Sequence, residues 1–162
     1  MTRNEIAEAY DRHADVLYRL ALSHVQSRED AEDVVQDVFA KYITAAPHFP
    51  DEEQERAWLI RVTVNRSLDL LRRQKRRSYV PLEDVEELIP AAPEENRDDT
   101  AELMETLRCI PEKHRAAIVL HHLEGCSVEQ TARSLGISVS AVKMRLSRGR
   151  EALKNLLQEG KR

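Results

Sequence analysis

Residues 72 to 77, RRQKRR, place Arg72, Arg73, Lys75, Arg76 and Arg77 within six positions. Charge of this density attracts phosphate with strong salt dependence and little regard for base sequence. Cations also suit the C-terminal end of a helix, so a solvated helix end is the competing reading. Just upstream, Asn65 carries an amide able to read a base edge, and Phe49, in the preceding loop, offers a wall for an unstacked base. A second basic group, Lys143, Arg145, Ser147, Arg148 and Arg150, has residue types that hold phosphates and read base edges.

The stretch DAEDVVQDVFAKYI, residues 30 to 43, has the opposite character. Glu29, Asp30, Glu32, Asp33 and Asp37 occur with no Lys or Arg between Glu29 and Asp37. Such a face repels DNA and steers a basic protein partner, although plain solubility is the ordinary role of a charge run. Glu29, Asp33 and Asp37 share a face, so a carboxylate-bound Mg ion is a third reading, with nothing else in the chain pointing to a phosphate substrate. His121 and His122 are adjacent and point to different sides of a helix, which argues against a metal shared with Cys126. Cys109 and Cys126 lack CxxC spacing and read as inert thiols.

These groups need helices to hold them. A first helix is expected over residues 4 to 25, with Ile6, Ala9, Tyr10, Leu17, Leu20, Ala21 and Val25 on one face. In the second, capped by Ser27 and closed by Pro47, the apolar stripe Ala31, Val34, Val35, Val38, Phe39, Tyr42 and Ile43 lies opposite the acids. After the loop PHFPDEEQ, a long helix over about 53 to 77 carries Asn65 and the basic block. Pro111 opens a helix that Gly125 ends. Ser127 and Gln130 form a capping box, Gly136 supplies a turn, and Ser138 caps the last helix. With Ala132 at the crossing and Leu135, Ile137, Val142 and Leu146 as apolar contacts, the last two helices read as a helix-turn-helix, whose second helix enters the major groove.

Composition supports an all-α chain: 162 residues with four Gly, 4% aromatics and much Ala, Leu, Glu and Arg. The net charge of -4 conceals segregation, since residues 56 to 80 hold eight Lys or Arg against one acid, and 81 to 105 hold ten acids against Arg97 alone. The acidic stretch from Pro81 to about Asp99 contains three prolines and reads as a linker disordered in isolation. Two small helical domains, 1–80 and 100–162, are expected on either side of this linker, 81–99. The N-terminus lacks a continuous apolar run, so neither signal peptide nor membrane span is expected, and the protein is placed in the cytoplasm.

The order DAEDVVQDVF, a loop with Phe49, WLIRVTVNRSLDLLRRQKRR, an acidic linker and LEGCSVEQTARSLGISVSAVKMRLSRGREAL resembles a bacterial extracytoplasmic-function (ECF) sigma factor over nearly the whole chain. The resemblance implies an RNA polymerase initiation subunit without enzymatic activity or cofactor, made of regions 2 and 4. It implies that Asp33, Gln36 and Asp37 contact the clamp helices of the polymerase beta-prime subunit and that region 4 meets the beta flap. By the same resemblance, Phe49 and Asn65 hold a flipped base of the minus-ten element, with Arg66, Arg72, Arg73, Lys75, Arg76 and Arg77 along the DNA backbone. Lys143, Met144, Ser147 and Arg148 would read the minus-thirty-five element. An anti-sigma factor, often membrane-anchored in relatives, is a further implied partner. A free-standing helix-turn-helix regulator is the rival reading; it explains residues 111 to 158 and leaves the acidic helix unexplained.

Overall fold

The computed structural model describes residues 2–45, 47–77 and 99–159, and among them every regular element is helical. Helices α1 (Arg3–Leu22), α2 (Arg28–Ala45) and α3 (Glu52–Arg77) precede the acidic stretch; α4 (Asp99–Arg108), α5 (Glu112–Ile118), α6 (Val128–Leu135) and α7 (Val139–Glu159) follow it. The part read as a linker lies outside the described residues, apart from Asp99, which begins α4.

Local chemistry sets the helix starts. Thr2 and Glu5 form a reciprocal capping box on α1, Ser27 Oγ accepts the Asp30 amide at 3.1 Å, and Asp51 Oδ1 accepts the Gln54 amide at 2.8 Å. Each satisfies an amide that the first helical turn leaves unpaired. Leu17 and Leu20 of α1, Val34 and Val38 of α2, and Leu59 and Ile60 of α3 then meet in a core with almost no exposure. Burial of each large side chain stabilises by roughly 1.5–3 kcal/mol. Ile43 and Tyr10, expected on the apolar faces, remain half exposed.

A single carboxylate joins the three helices. Glu55 Oε1 accepts from Arg12 Nη2 at 3.3 Å and lies 3.1 Å from His13 Nε2, while Tyr42 Oη donates to Oε2 at 3.1 Å. Burial lowers the His13 pKa, an effect partly offset by Glu55. Burial, followed by the charge of Glu55, pushes Tyr42 up to about 12. Beside this network an aromatic row runs from Tyr10 to Phe39, Tyr42, Trp58 and Phe49, with consecutive ring centroids 5.0–6.1 Å apart.

The second helical set follows its punctuation closely. Ser127 and Gln130 cap each other, and Gly136 ends α6 at φ 68°, a left-handed conformation that favours glycine. Ser138 Oγ accepts the Ala141 amide at 3.1 Å, and Val142 and Leu146 are buried under α7. The helix expected from Pro111 to Gly125 differs in two respects. Pro111 stands at the N-cap of α5, and residues Val119–Leu123 widen into a π turn, with the Glu124 amide reaching Val119 O at 2.9 Å. Gly149 marks the α5–α7 crossing, since a Cβ there would lie 2.8 Å from Ile118 Cγ1.

The two sets also pack against each other, α6 on α3 and the π turn on α1. Arg19 donates to both oxygens of Glu124, through Nε at 2.5 Å and Nη2 at 2.9 Å. Arg108 Nε donates to Leu22 O at 3.1 Å, Arg61 Nη2 to Arg133 O at 2.9 Å, Arg133 Nη1 to Glu53 at 2.7 Å, and Arg56 Nη2 to Cys126 Sγ at 3.5 Å.

Gly149→Val should overpack the α5–α7 crossing and lower unfolding stability by about 1–3 kcal/mol, as measured by urea denaturation. A variant as stable as the parent would show that the crossing has room to spare. Phe49→Ala should uncover Trp58, the sole tryptophan, and shift its fluorescence emission to the red. Unchanged emission would mean that the loop ring does not shield the indole.

Candidate functional site

On α2 the burial pattern separates two faces. Val34, Val35, Val38 and Phe39 point inward, while Glu29, Glu32, Asp33, Gln36 and Asp37 are exposed. Asp30 is half buried and accepts from Gln74 Nε2 of α3 at 2.8 Å. The acidic face is therefore a surface whose orientation is fixed by the apolar stripe behind it. Asp37 is not left to solvent alone: Arg66 of α3 donates to its Oδ2 at 2.8 Å. One ion pair thus joins a residue of the acidic face to a residue of the basic helix. Among the described residues, no group of three His, Cys, Asp or Glu side chains is placed to hold a metal ion.

The expected nucleic-acid residues of α3 spread along its length. Asn65 is exposed, while Thr63 and Ser67 on either side are buried, with Thr63 Oγ1 donating back to Leu59 O at 2.7 Å. Phe49 is half buried, and its ring packs on Trp58 with centroids 6.0 Å apart. Arg72, Arg73, Lys75 and Arg76 are exposed, and Arg72 lies 3.7 Å from Glu112 of α5. Arg77 is the last residue of the helix, and its side chain is outside the described part. Two carboxylates, Glu112 and Asp37, therefore stand near guanidinium groups expected on DNA.

On α7, Lys143, Met144, Ser147 and Arg148 form an exposed strip, with Met144 half exposed. Val142, Leu146 and Gly149 occupy the buried side. Arg145, on the strip's edge, donates through Nη1 to Lys113 O at 3.4 Å. The charges of Arg148, Arg145 and Lys113 add to burial in lowering the His114 pKa, which measures how cationic this end of the molecule is. A helix-turn-helix presenting cations, a hydroxyl and an apolar side chain on one strip has the groups needed to contact phosphates, base edges and a thymine methyl.

Sequence reasoning did not anticipate the arginines between the two sets, Arg19, Arg56, Arg61, Arg108 and Arg133. Their partners lie 70 to 105 residues away along the chain, a separation that no local pattern encodes. Among the described residues, no helix is long and apolar enough to cross a membrane.

The Sigma-70 region 2 family matches residues 9–77, and the Sigma-70 region 4 family matches residues 100–153. The ECF RNA polymerase sigma factor SigM of Mycobacterium tuberculosis is 36% identical over 151 residues, covering 93% of this chain and 76% of SigM. The ECF RNA polymerase sigma factor SigE of Mycolicibacterium smegmatis is 34% identical over 156 residues, which take in 93% of this chain but 60% of the length of SigE. CnrH, solved in complex with the cytosolic domain of CnrY, has a similar fold, with a TM-score of 0.73 and 29% identity over 98% of this chain and 90% of CnrH. Because both regions match in order and the likeness to SigM runs through both helical sets, the chain belongs to the ECF RNA polymerase sigma factors of the sigma-70 family.

Proposed function

We propose that the chain binds core RNA polymerase through the acidic face of α2 and directs transcription initiation at promoters contacted by α3 and α7. The observation that carries this reading is the division of each helix into a buried apolar side and an exposed side, acidic on α2 from Glu29 to Asp37 and carrying cations, a hydroxyl and a methionine on α7. Asp33, Gln36 and Asp37 stand opposite the stripe of α2; Lys143, Met144, Ser147 and Arg148 stand opposite Val142 and Leu146. Acids suit a basic protein surface, and the α7 strip suits the major groove.

Residues 1–80 act in this reading as the polymerase-clamp and minus-ten unit, 81–99 as the linker, and 100–162 as the minus-thirty-five unit, which also meets the beta flap. Phe49 and Asn65 hold the unstacked base, with Arg66, Arg72, Arg73, Lys75, Arg76 and Arg77 along the backbone. Base capture of this kind costs unstacking energy that contacts in the pocket must offset. The protein is a specificity subunit without catalysis, working in the cytoplasm. Its regulator is an anti-sigma factor that stands to this chain as the cytosolic domain of CnrY stands to CnrH. A free-standing helix-turn-helix regulator has no use for the acidic face of α2.

The Asp33→Lys, Asp37→Lys double variant should lose capture of core polymerase while keeping its helical circular dichroism. Both side chains are exposed, and the Arg66–Asp37 pair that the substitution removes is a surface pair worth about 0–1 kcal/mol. Full capture by the folded double variant would sink the polymerase assignment. Arg148→Ala and Arg76→Ala should fail differently on a library of randomised minus-thirty-five elements. Truncating a base-reading side chain at Arg148 should cost about 1–3 kcal/mol and relax preference at one position, whereas truncating Arg76 should weaken binding to all sequences alike and reduce the salt dependence by about one phosphate. Unaltered sequence preference in Arg148→Ala would remove this residue from base reading.

A further inference from the structure

The turn that follows α1 meets the junction of α4 and α5, and the groups buried there are poorly matched. His24 is 1% exposed, and neither ring nitrogen has a hydrogen-bond partner. Arg115 is 6% exposed; its Nε donates to Ile110 O at 3.0 Å and its Nη2 to Arg108 O at 2.9 Å, while Nη1 has no partner. Arg115 is the charged group that acts on the imidazole. Arg108 is held nearby through its bond to Leu22 O. Glu112 and Glu105 act on these arginines, and among the described residues no carboxylate acts on the ring. A cation therefore acts on a partnerless imidazole across the contact between the two helical sets, with no anion among the described residues to accommodate a second positive charge.

We propose that this contact is a proton-sensitive latch: the two helical sets stay together while His24 is neutral, and protonation of His24 against Arg115 drives them apart. The remaining links across the contact are hydrogen bonds and ion pairs of arginine, set beside buried apolar residues of both sets that belong to one core. Burial first, and Arg115 second, depress the imidazole in the closed arrangement to about 3. Released into water, the ring returns to an ordinary value of about 6.5. The group is lowered in the closed state, so closure is undiminished above about pH 6.5 and weakens as pH falls below it. Linkage then makes opening about tenfold more favourable at pH 5.5 than at pH 7.5. Carboxylates, with ordinary values near 4, remain largely charged across that window.

The consequence for promoters rests on the sigma-factor reading. Minus-ten and minus-thirty-five elements lie about 25 base pairs apart, or about 85 Å along B-form DNA at 3.4 Å per pair. A compact chain of this length has a radius of gyration of about 15 Å, hence a diameter of about 40 Å. The closed arrangement cannot serve both elements at once, so opening is the step that the latch controls.

Cys126, buried where Arg56 of α3 reaches its sulfur, reports the separation. In a Cys109→Ser background, its labelling rate by 4,4′-dithiodipyridine, divided by that of free glutathione at the same pH, should rise about tenfold from pH 7.5 to 5.5. His24→Gln, or His24→Asn where the first does not fold, should abolish the rise. A flat profile in the parent, or the same rise in a folded His24 variant, would overturn the latch. Capture of core polymerase by the parent at pH 7.5 tests the sigma-factor reading separately, because that contact uses α2.

Discussion

The Glu55 carboxylate fixes the first helical set. It is the common acceptor for groups on α1 and α2 while standing on α3 itself, so the three helices cannot rotate independently without leaving a partly buried charge unpaired. The rotation of α2 about its axis determines which side chains face outward, and that of α3 determines where Asn65 points. Both surfaces proposed for recognition on this set therefore inherit their direction from one partly buried polar cluster and the leucine, isoleucine and valine core beneath it.

The contact between the two helical sets adds a second chemistry to apolar burial. Within each set, apolar burial dominates and is insensitive to salt or modest changes in pH. Between the sets the apolar core continues, and arginine side chains add bonds to carboxylates and backbone carbonyls, an attraction that salt weakens where it is exposed. Arg19 shows the intermediate case: its partner Glu124 is almost wholly buried while the guanidinium is partly solvated, and their bond raises the arginine pKa. A change in the mutual arrangement of the two sets, which the proposed reading of two separated DNA elements calls for, must part both the arginine bonds and the apolar residues that the sets share.

Most of the helical architecture was legible in the sequence because its signals are local. The capping pairs Ser127–Gln130 and Ser138–Ala141, the left-handed Gly136 and the stripe of α2 each rest on residues within a few positions of one another. The exposed strips of α2 and α7 followed from the same periodicity. Illegible were features that depend on distant parts of the chain: the Arg66–Asp37 pair, the arginines between the sets and the burial of His24. The π turn escaped for another reason. VLHHL has the apolar spacing of an α-helix, and one residue beyond that register leaves no mark in composition.

The π turn bears on how this chain tolerates insertions and deletions. A wide turn holds one residue more than an α-helical path through the same space, and each residue advances an α-helix by about 100°. Removing one residue from Val119–Leu123 would return that stretch to α-helical register, and the narrower turn would take up the deletion, so that Glu124 stays on the side of the helix that meets Arg19. A gene losing one codon here would keep both its helices and the pairing across the two helical sets, whereas a codon lost from the α-helical residues Glu112–Ile118 would turn Glu124 by about 100° away from Arg19.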